Sequence, residues 1–204
     1  MRNEVNSSGM VNSVKYSMAF TTCSLLVQES IKVAQLFVEK EDWKEVSQEA
    51  TKTNLLQYRT ESSLKRTLSE IISRLKLLPS DALPLLANGF IQEQLQILWF
   101  AVCLRYPFIK EFATEVIKEK YIIMQPELTS LDYDSFFNSK INWHVELETI
   151  TDTTKNKLKQ VLFKMLKESE IVDDNNYINT VLLSPSVKDI IAGYNKEYLN
   201  IFPN

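Results

Sequence analysis

Two stretches of this sequence place several cations where they could bind phosphate groups. In residues 61–78, Lys65, Arg66 and Lys76 are interleaved with serines. In residues 152–168, five lysines stand against two acidic residues, so this segment carries a net charge of five minus two, or +3. Cations neutralise phosphate, and small hydroxyls approach closely enough to donate hydrogen bonds to its oxygens. The chemistry that these residues favour is therefore binding to a nucleic-acid backbone.

A helical projection separates these side chains from an apolar row in each predicted helix. The candidate binding residues of the first helix are Ser62, Arg66, Ser69, Ser73 and Lys76 on one face, Lys65 beside them and Arg74 on the far flank. Those of the helix opened by Thr151 are Lys157, Lys164 and Lys167 on one stripe with Gln160, and Lys155 and Lys159 toward the other flank.

The alternative is that both are ordinary solvated helix faces, because charged residues normally cover the exposed side of a helix. The net charge of −3 excludes the strong overall positive field of a dedicated nucleic-acid binder. The presence of two such faces in a chain with a negative net charge nevertheless favours the binding interpretation more than a single face would. No cluster of arginine and asparagine indicates base-specific contacts, so we expect binding mainly to the backbone of double-stranded DNA.

Residues suited to catalysis or metal binding are sparse. The sequence has no glycine-rich phosphate loop, no C-x-x-C and no H-E-x-x-H. A lone histidine, His144, cannot supply a zinc site, and a structural role is expected for it. The acidic pairs at 41–42, 132/134 and 173–174 stand where helix starts and turns ordinarily place carboxylates. We predict no catalytic residue, no metal ligand and no cofactor.

The sequence also disfavours a membrane-spanning or a secreted protein. The longest uninterrupted apolar run, residues 97–104, is far shorter than the ~20 residues of a membrane-spanning helix. The N-terminus is polar and lacks the apolar segment of a signal peptide. Cys23 and Cys103 have no metal-type spacing and do not indicate a disulfide framework. We therefore expect a cytoplasmic protein without membrane contact.

The fold class predicted from glycine content and periodicity is all-α, a compact multi-helix domain. Only 3 glycines occur, and sheet-rich folds spend more of them on turns. Helices are predicted over 23–40, 41–53, 61–78, 81–88, 90–106, 107–123, 129–142, 151–168 and 186–194. The apolar stretches that flank an Asp/Asn turn within 170–185 favour a small C-terminal β-hairpin, which after the cationic helix would resemble a winged helix.

The domain organisation predicted is a flexible N-terminal arm, residues 1–15, followed by a single helical domain, residues 16–204. An alternative is two lobes, about 16–106 and 107–204. Trp43 and Trp143 lie near helix boundaries, where they either pack or anchor a partner surface.

Dispersed short stretches between residues 16 and 190 form a pattern that resembles a known family. They are Tyr16–Thr22, Leu25-Leu26, Glu29-Ser30, Asp42-Trp43, Asn54–Gln57, Arg59-Thr60, Arg66, Ile71–Leu75, Gln92–Gln94, Leu98–Cys103, Phe112-Ala113, Glu115-Val116, Phe136-Phe137, Trp143-His144, Lys157-Leu158, Gln160–Leu166 and Leu182–Pro185. In that order they resemble the BrxA family, the small helical component of BREX bacteriophage-defence systems. Where the family has glycines after the N-terminal threonines, this chain has Cys23 and Ser24, which puts the start of the first helix in question.

The resemblance implies a bacterial or archaeal cytoplasmic protein with a fold similar to the NusB type. It implies DNA binding within a multi-protein apparatus whose methyltransferase, ATPase and phosphatase-like activities reside in other subunits, and it offers no catalytic residues to carry over. The leading hypothesis is a non-enzymatic DNA-binding and assembly subunit that contacts other BREX subunits. The alternative is a protein adaptor that docks those subunits without touching nucleic acid.

Overall fold

The computed structural model describes residues 15–21 and 23–204. The predicted N-terminal arm therefore lies, apart from Lys15, outside the described residues. Within them the chain is helical and forms no strand or sheet, which confirms the all-α fold class. The NusB-type likeness and the division into one domain or two lobes stay predictions.

Eleven α-helices follow one another along the described part of the chain. They are α1 (Val27–Lys40), α2 (Trp43–Lys52), α3 (Glu61–Leu75), α4 (Ala82–Asn88), α5 (Ile91–Arg105), α6 (Pro107–Phe112), α7 (Lys118–Ile122), α8 (Ser130–Ile141), α9 (Val145–Glu148), α10 (Asp152–Glu168) and α11 (Pro185–Asn195). A π-helical segment (Ala113–Ile117) joins α6 to α7, and a 3-10 helix (Lys196–Ile201) follows α11. The predicted helix over 107–123 is thus continuous in direction but has one wider turn.

Local capping chemistry sets the starts of the helices that matter here. The Thr60 side chain accepts a hydrogen bond from the Ser63 N–H at the start of α3, and Thr151 accepts one from Thr154 at the start of α10. The Asp42 carboxylate accepts from the N–H groups of Lys44 and Glu45 at the start of α2. Each cap satisfies donors that a helix N-terminus leaves without a partner.

The first helix begins later than predicted, at Val27 instead of residue 23. Leu26 adopts a left-handed conformation with φ of 58°, and residues 23–26 are extended. The carbonyls of Cys23 and Ser24 accept hydrogen bonds from the Arg74 guanidinium rather than from a following helical turn. Thr21 lies before this extended segment and does not cap α1.

The segment after α10 forms the predicted turn but does not form a continuous ladder of β-bridges. One isolated antiparallel bridge joins Val172 to Ile178, and a second joins Glu127 to Tyr177. The Asp173 carboxylate accepts from the N–H groups of Asn175 and Tyr177 and fixes the turn. A single bridge does not establish the predicted hairpin or a winged-helix arrangement.

The centre of the fold is α5, which contains the longest uninterrupted apolar run of the sequence. Its residues 94–103 are all buried, and α5 packs against α1, α3, α4, α6 and α11. The Trp99 indole N–H donates to the Ile201 carbonyl at 3.1 Å, which ties the C-terminal 3-10 helix to this core. Helix α3 packs directly on this core, and the apolar side of α10 belongs to the same hydrophobic cluster.

Candidate nucleic-acid interface

Cations from the two predicted faces meet in one surface cleft. Arg66 of α3 and Lys157 and Lys164 of α10 line a cleft of about 840 Å³. Thr21, Ser24 and residues 26–29 form another of its walls, and Tyr58 also lines it. Side chains about 90 residues apart in sequence are therefore brought together by the fold, which the sequence analysis did not anticipate.

The cleft has a small positive excess. Three cations, Arg66, Lys157 and Lys164, share it with Glu29 and Glu168, which leaves three minus two, or +1. Lys164 Nζ lies 3.5 Å from Glu168 Oε1. Glu168 Oε2 also accepts the Leu25 N–H at 2.7 Å, so this carboxylate is partly occupied by backbone.

Two of these cations are available to an anionic ligand. Arg66 and Lys157 are exposed, and neither forms an ion pair or a hydrogen bond with any residue that the structure describes. An exposed cation without a carboxylate partner loses no intramolecular contact when it binds phosphate. Arg66 and Lys157 are thus the strongest candidates among the predicted residues.

The wall of the cleft is held in place by a buried arginine. The Arg74 side chain is 3% exposed, and its Nη1 donates to the Ser24 carbonyl at 2.7 Å. Its Nε donates to Glu70 Oε1 at 2.7 Å, and the Tyr106 hydroxyl donates to the same oxygen. Burial first, and then the Glu70 hydrogen bond, raise the pKa of Tyr106. Arg74, which sequence placed on the flank of the binding face, is an interior anchor and is not part of the surface that we propose below.

Lys155 and Lys159 point toward α8 instead of the cleft. Lys159 Nζ donates to Asp134 Oδ2 at 2.9 Å, and Lys155 Nζ lies 3.5 Å from Asp134 Oδ1. Partial desolvation acts to raise the pKa of Asp134, but the hydrogen bond from Lys159 and the charges of both lysines outweigh it and lower that pKa below its ordinary value. Their first role is therefore to fasten α10 to α8.

The remaining predicted residues are divided between a second groove and local contacts. Lys65, Ser69, Ser73 and Lys76 line a groove of about 630 Å³ between α2 and α3. Ser62 Oγ lies 3.4 Å from Thr60 Oγ1 at the helix start, and Lys167 Nζ donates to the Asp174 carbonyl at 2.8 Å. The groove also contains Lys44 of α2, which the sequence analysis missed. A helical projection of α2 would have identified Lys44 only if the side of α2 that faces α3 had been known.

The side chains considered for catalysis have structural partners. His144 is buried and stacks on Tyr16 with ring centroids 3.6 Å apart, while its Nδ1 lies 3.2 Å from Glu146 Oε1. Asp42 is the N-cap of α2, and Asp132 completes the capping box of Thr129 at the start of α8. Within residues 15–21 and 23–204, no three His, Cys, Asp or Glu side chains are grouped as metal ligands. No helix in the same ranges is long and apolar enough to cross a bilayer.

Comparison with known proteins assigns the chain to a family. A family model described as BrxA matches residues 14–194. The chain belongs to the BrxA family. A relative named BREX protein BrxA from Bacillus cereus is 30% identical over 160 residues, which are 78% of this chain and 80% of the relative. A BREX protein BrxA from Escherichia coli O9:H4 is 27% identical over 82% of this chain and 79% of the relative.

A solved structure has a fold similar to that of this chain. The crystal structure of an uncharacterized protein from Magnetospirillum magneticum matches with a TM-score of 0.79 and covers 94% of this chain and 100% of that one. The two sequences are 20% identical, so this likeness concerns the fold alone. The resemblance inferred from sequence is confirmed at the level of the family and of the helical architecture.

Proposed function

We propose that this BrxA-family chain is a non-enzymatic, DNA-binding and assembly component of a cytoplasmic BREX phage-defence system. The observation that supports it best is the convergence of Arg66, Lys157 and Lys164 on one cleft. The family assignment supports membership in a BREX system, and other BREX subunits are its expected protein partners.

The expected ligand of the cleft is the phosphate backbone of duplex DNA. Because the backbones of the two helices are already fixed, binding orders only the cationic side chains, and each phosphate that they neutralise releases a counterion. Ser62 follows Arg66 around α3 within about 60° in projection and adds a hydroxyl on the same face, whereas Ser69 and Ser73 line the second groove. Because the net charge of the whole chain is −3, binding must depend on this local surface.

The adaptor alternative is supported by a separate apolar patch. Ile122, Ile123 and Met124 are 58%, 55% and 89% exposed at the end of α7. Together with Pro126 and Ile178, parts of this region line a pocket of about 480 Å³. Contiguous exposed apolar surface marks sites of protein association. The patch and the cleft are distinct, so an assembly role is compatible with DNA binding.

Reversing the three cleft cations should abolish most DNA binding. We expect Arg66→Glu/Lys157→Glu/Lys164→Glu to bind a 20-base-pair duplex about 100-fold or more weakly than the wild type at ~0.1 M salt, since each lost phosphate contact costs roughly tenfold there. Fluorescence anisotropy of a labelled duplex measures the affinity, and circular dichroism verifies the helical fold.

The matched control carries the same change in net charge elsewhere. Lys52, Lys188 and Lys196 are exposed lysines outside the cleft, and Lys52→Glu/Lys188→Glu/Lys196→Glu should retain affinity within a few-fold. Equal losses in both variants would show that only overall charge matters. Unchanged binding in the cleft variant would exclude the cleft, and no binding by the wild type would leave the adaptor role.

A further inference from the structure

The groove between α2 and α3 is lined by residues of α3 other than the cleft residue Arg66, and its chemistry differs. We propose that this groove binds an unpaired strand of nucleic acid, with its backbone along the lysines and a base against the Trp43 indole. The proposal rests on the proposed function in that it assumes a nucleic-acid ligand, but it concerns different residues and a different form of the ligand.

The rim of the groove is more positive than the cleft. Lys44, Lys65 and Lys76 line it, and no acidic residue does. Lys65 forms a 2.5 Å pair with Glu61, but both side chains are exposed and such pairs contribute little stability, so phosphate can replace the carboxylate. Asp42, near one end, already accepts two backbone hydrogen bonds as the cap of α2. The three ammonium groups therefore form a cationic rim that Glu61 and Asp42, which lie outside the lining, balance only in part.

The floor of the groove is apolar and contains an aromatic ring. Leu68 and Ile72 of α3 lie beneath it, and Trp43 forms part of its lining. The Trp43 ring stacks on Phe37 of α1 with centroids 4.0 Å apart and an angle of 25°. This contact fixes the indole without ordering cost on binding. Base–aromatic stacking on such a fixed ring is how proteins hold single strands without reading their sequence.

Free polar groups lie between the lysines and the floor. The Ser47, Gln48 and Ser69 side chains make no hydrogen bond to any described residue, whereas the hydroxyls of Thr51 and Ser73 donate to backbone carbonyls. Three unoccupied donors are thus available for sugar, phosphate or base edges.

A duplex does not fit this combination of features. In a duplex the bases are stacked and paired, so their faces are not available to stack on an indole that lines a groove between two helices. An acidic peptide would match the lysines but would leave the apolar floor and the ring without a function. An unpaired strand can contact the lysines with its phosphates, the polar side chains with its sugars and base edges, and the Trp43 ring with a base.

The test compares a single strand with a duplex on two groove variants. The probes are a labelled 12-nucleotide oligothymidylate and the 20-base-pair duplex, measured by anisotropy at ~0.1 M salt. Trp43→Leu/Lys44→Gln should bind the oligothymidylate about tenfold or more weakly than the wild type, with duplex affinity within about twofold. A second variant, Lys44→Gln/Lys76→Gln, leaves the Trp43–Phe37 contact intact. Its affinity for the oligothymidylate should fall by a similar factor, so it tests the proposal even if the first variant fails to fold.

Controls separate this proposal from the proposed function. Trp143→Leu/Lys52→Gln makes the same chemical changes outside the groove and should bind both probes normally. Duplex binding without oligothymidylate binding in the wild type would overturn the groove proposal while the cleft remained valid. Equal losses of both probes in the groove variants, or displacement of the oligothymidylate by poly-glutamate of equal charge, would also overturn it.

Discussion

Replacing Arg74 by methionine should destabilise the protein by about 2–4 kcal/mol, although this arginine lies in a helix rich in exposed cations. Its side chain is 3% exposed and donates to Glu70 and to the carbonyls of Cys23 and Ser24. Methionine occupies most of the volume but leaves the two carbonyls without the arginine donors, and Glu70 keeps only the Tyr106 hydroxyl. We place the cost below that of a fully buried pair because the Glu70 side chain is 17% exposed. Urea denaturation should show a lower midpoint with an unchanged slope.

Arg66→Met provides the control in the same helix. Arg66 is exposed, so its substitution should change the free energy of unfolding by no more than about 0.5 kcal/mol. It should weaken duplex binding, whereas Arg74→Met acts first on stability. Equal stability losses in the two variants would contradict the interior role that we assign to Arg74.

Replacing Phe108 by alanine should be as damaging, with a loss of about 3–5 kcal/mol. Phe108 is fully buried at the start of α6. Its ring contacts Tyr16 and Phe20 of the N-terminal segment at 5.5 and 6.3 Å between centroids, and Phe136 and Phe137 of α8 at 5.1 and 5.9 Å. The cavity would therefore remove packing contacts that join α6 to the N-terminal segment and to α8.

Phe90→Ala makes the same chemical change at the surface. Phe90 is 82% exposed, and its loss should alter stability by no more than about 0.5 kcal/mol. Thermal or urea denaturation of both variants measures the difference. A loss under 1 kcal/mol for Phe108→Ala would show that this aromatic cluster can close around the cavity.

The helices could be predicted because their signals are local. Thr60 and Thr151 cap α3 and α10, and the apolar periods between those caps and the helix ends are strong. The start of α1 could not be predicted, because it depends on carbonyls captured by Arg74 about 50 residues away in sequence. The turn at 171–178 was predicted, but turn chemistry alone does not determine whether a ladder forms beside it.

The candidate site could be predicted only in part for the same reason. Helical projection identified the cations of α3 and α10 but not which of them would face one another. Packing brought Arg66 to Lys157 and Lys164, and it turned Lys155 and Lys159 toward Asp134. Lys44 was missed because the contribution of α2 appears only when α2 lies beside α3. Tertiary neighbours, which no single-helix pattern contains, decided each of these outcomes.

The salt dependence of duplex binding tests the cleft most directly, because it counts the phosphates that the protein neutralises. We would measure the affinity of the wild type and of Arg66→Gln/Lys157→Gln/Lys164→Gln between ~50 and ~200 mM salt. The slope of log K against log salt should be shallower in the variant by roughly 2–3, close to ~0.9 for each of the lost cations. Identical slopes in the two proteins would contradict the assignment of these residues to the DNA backbone.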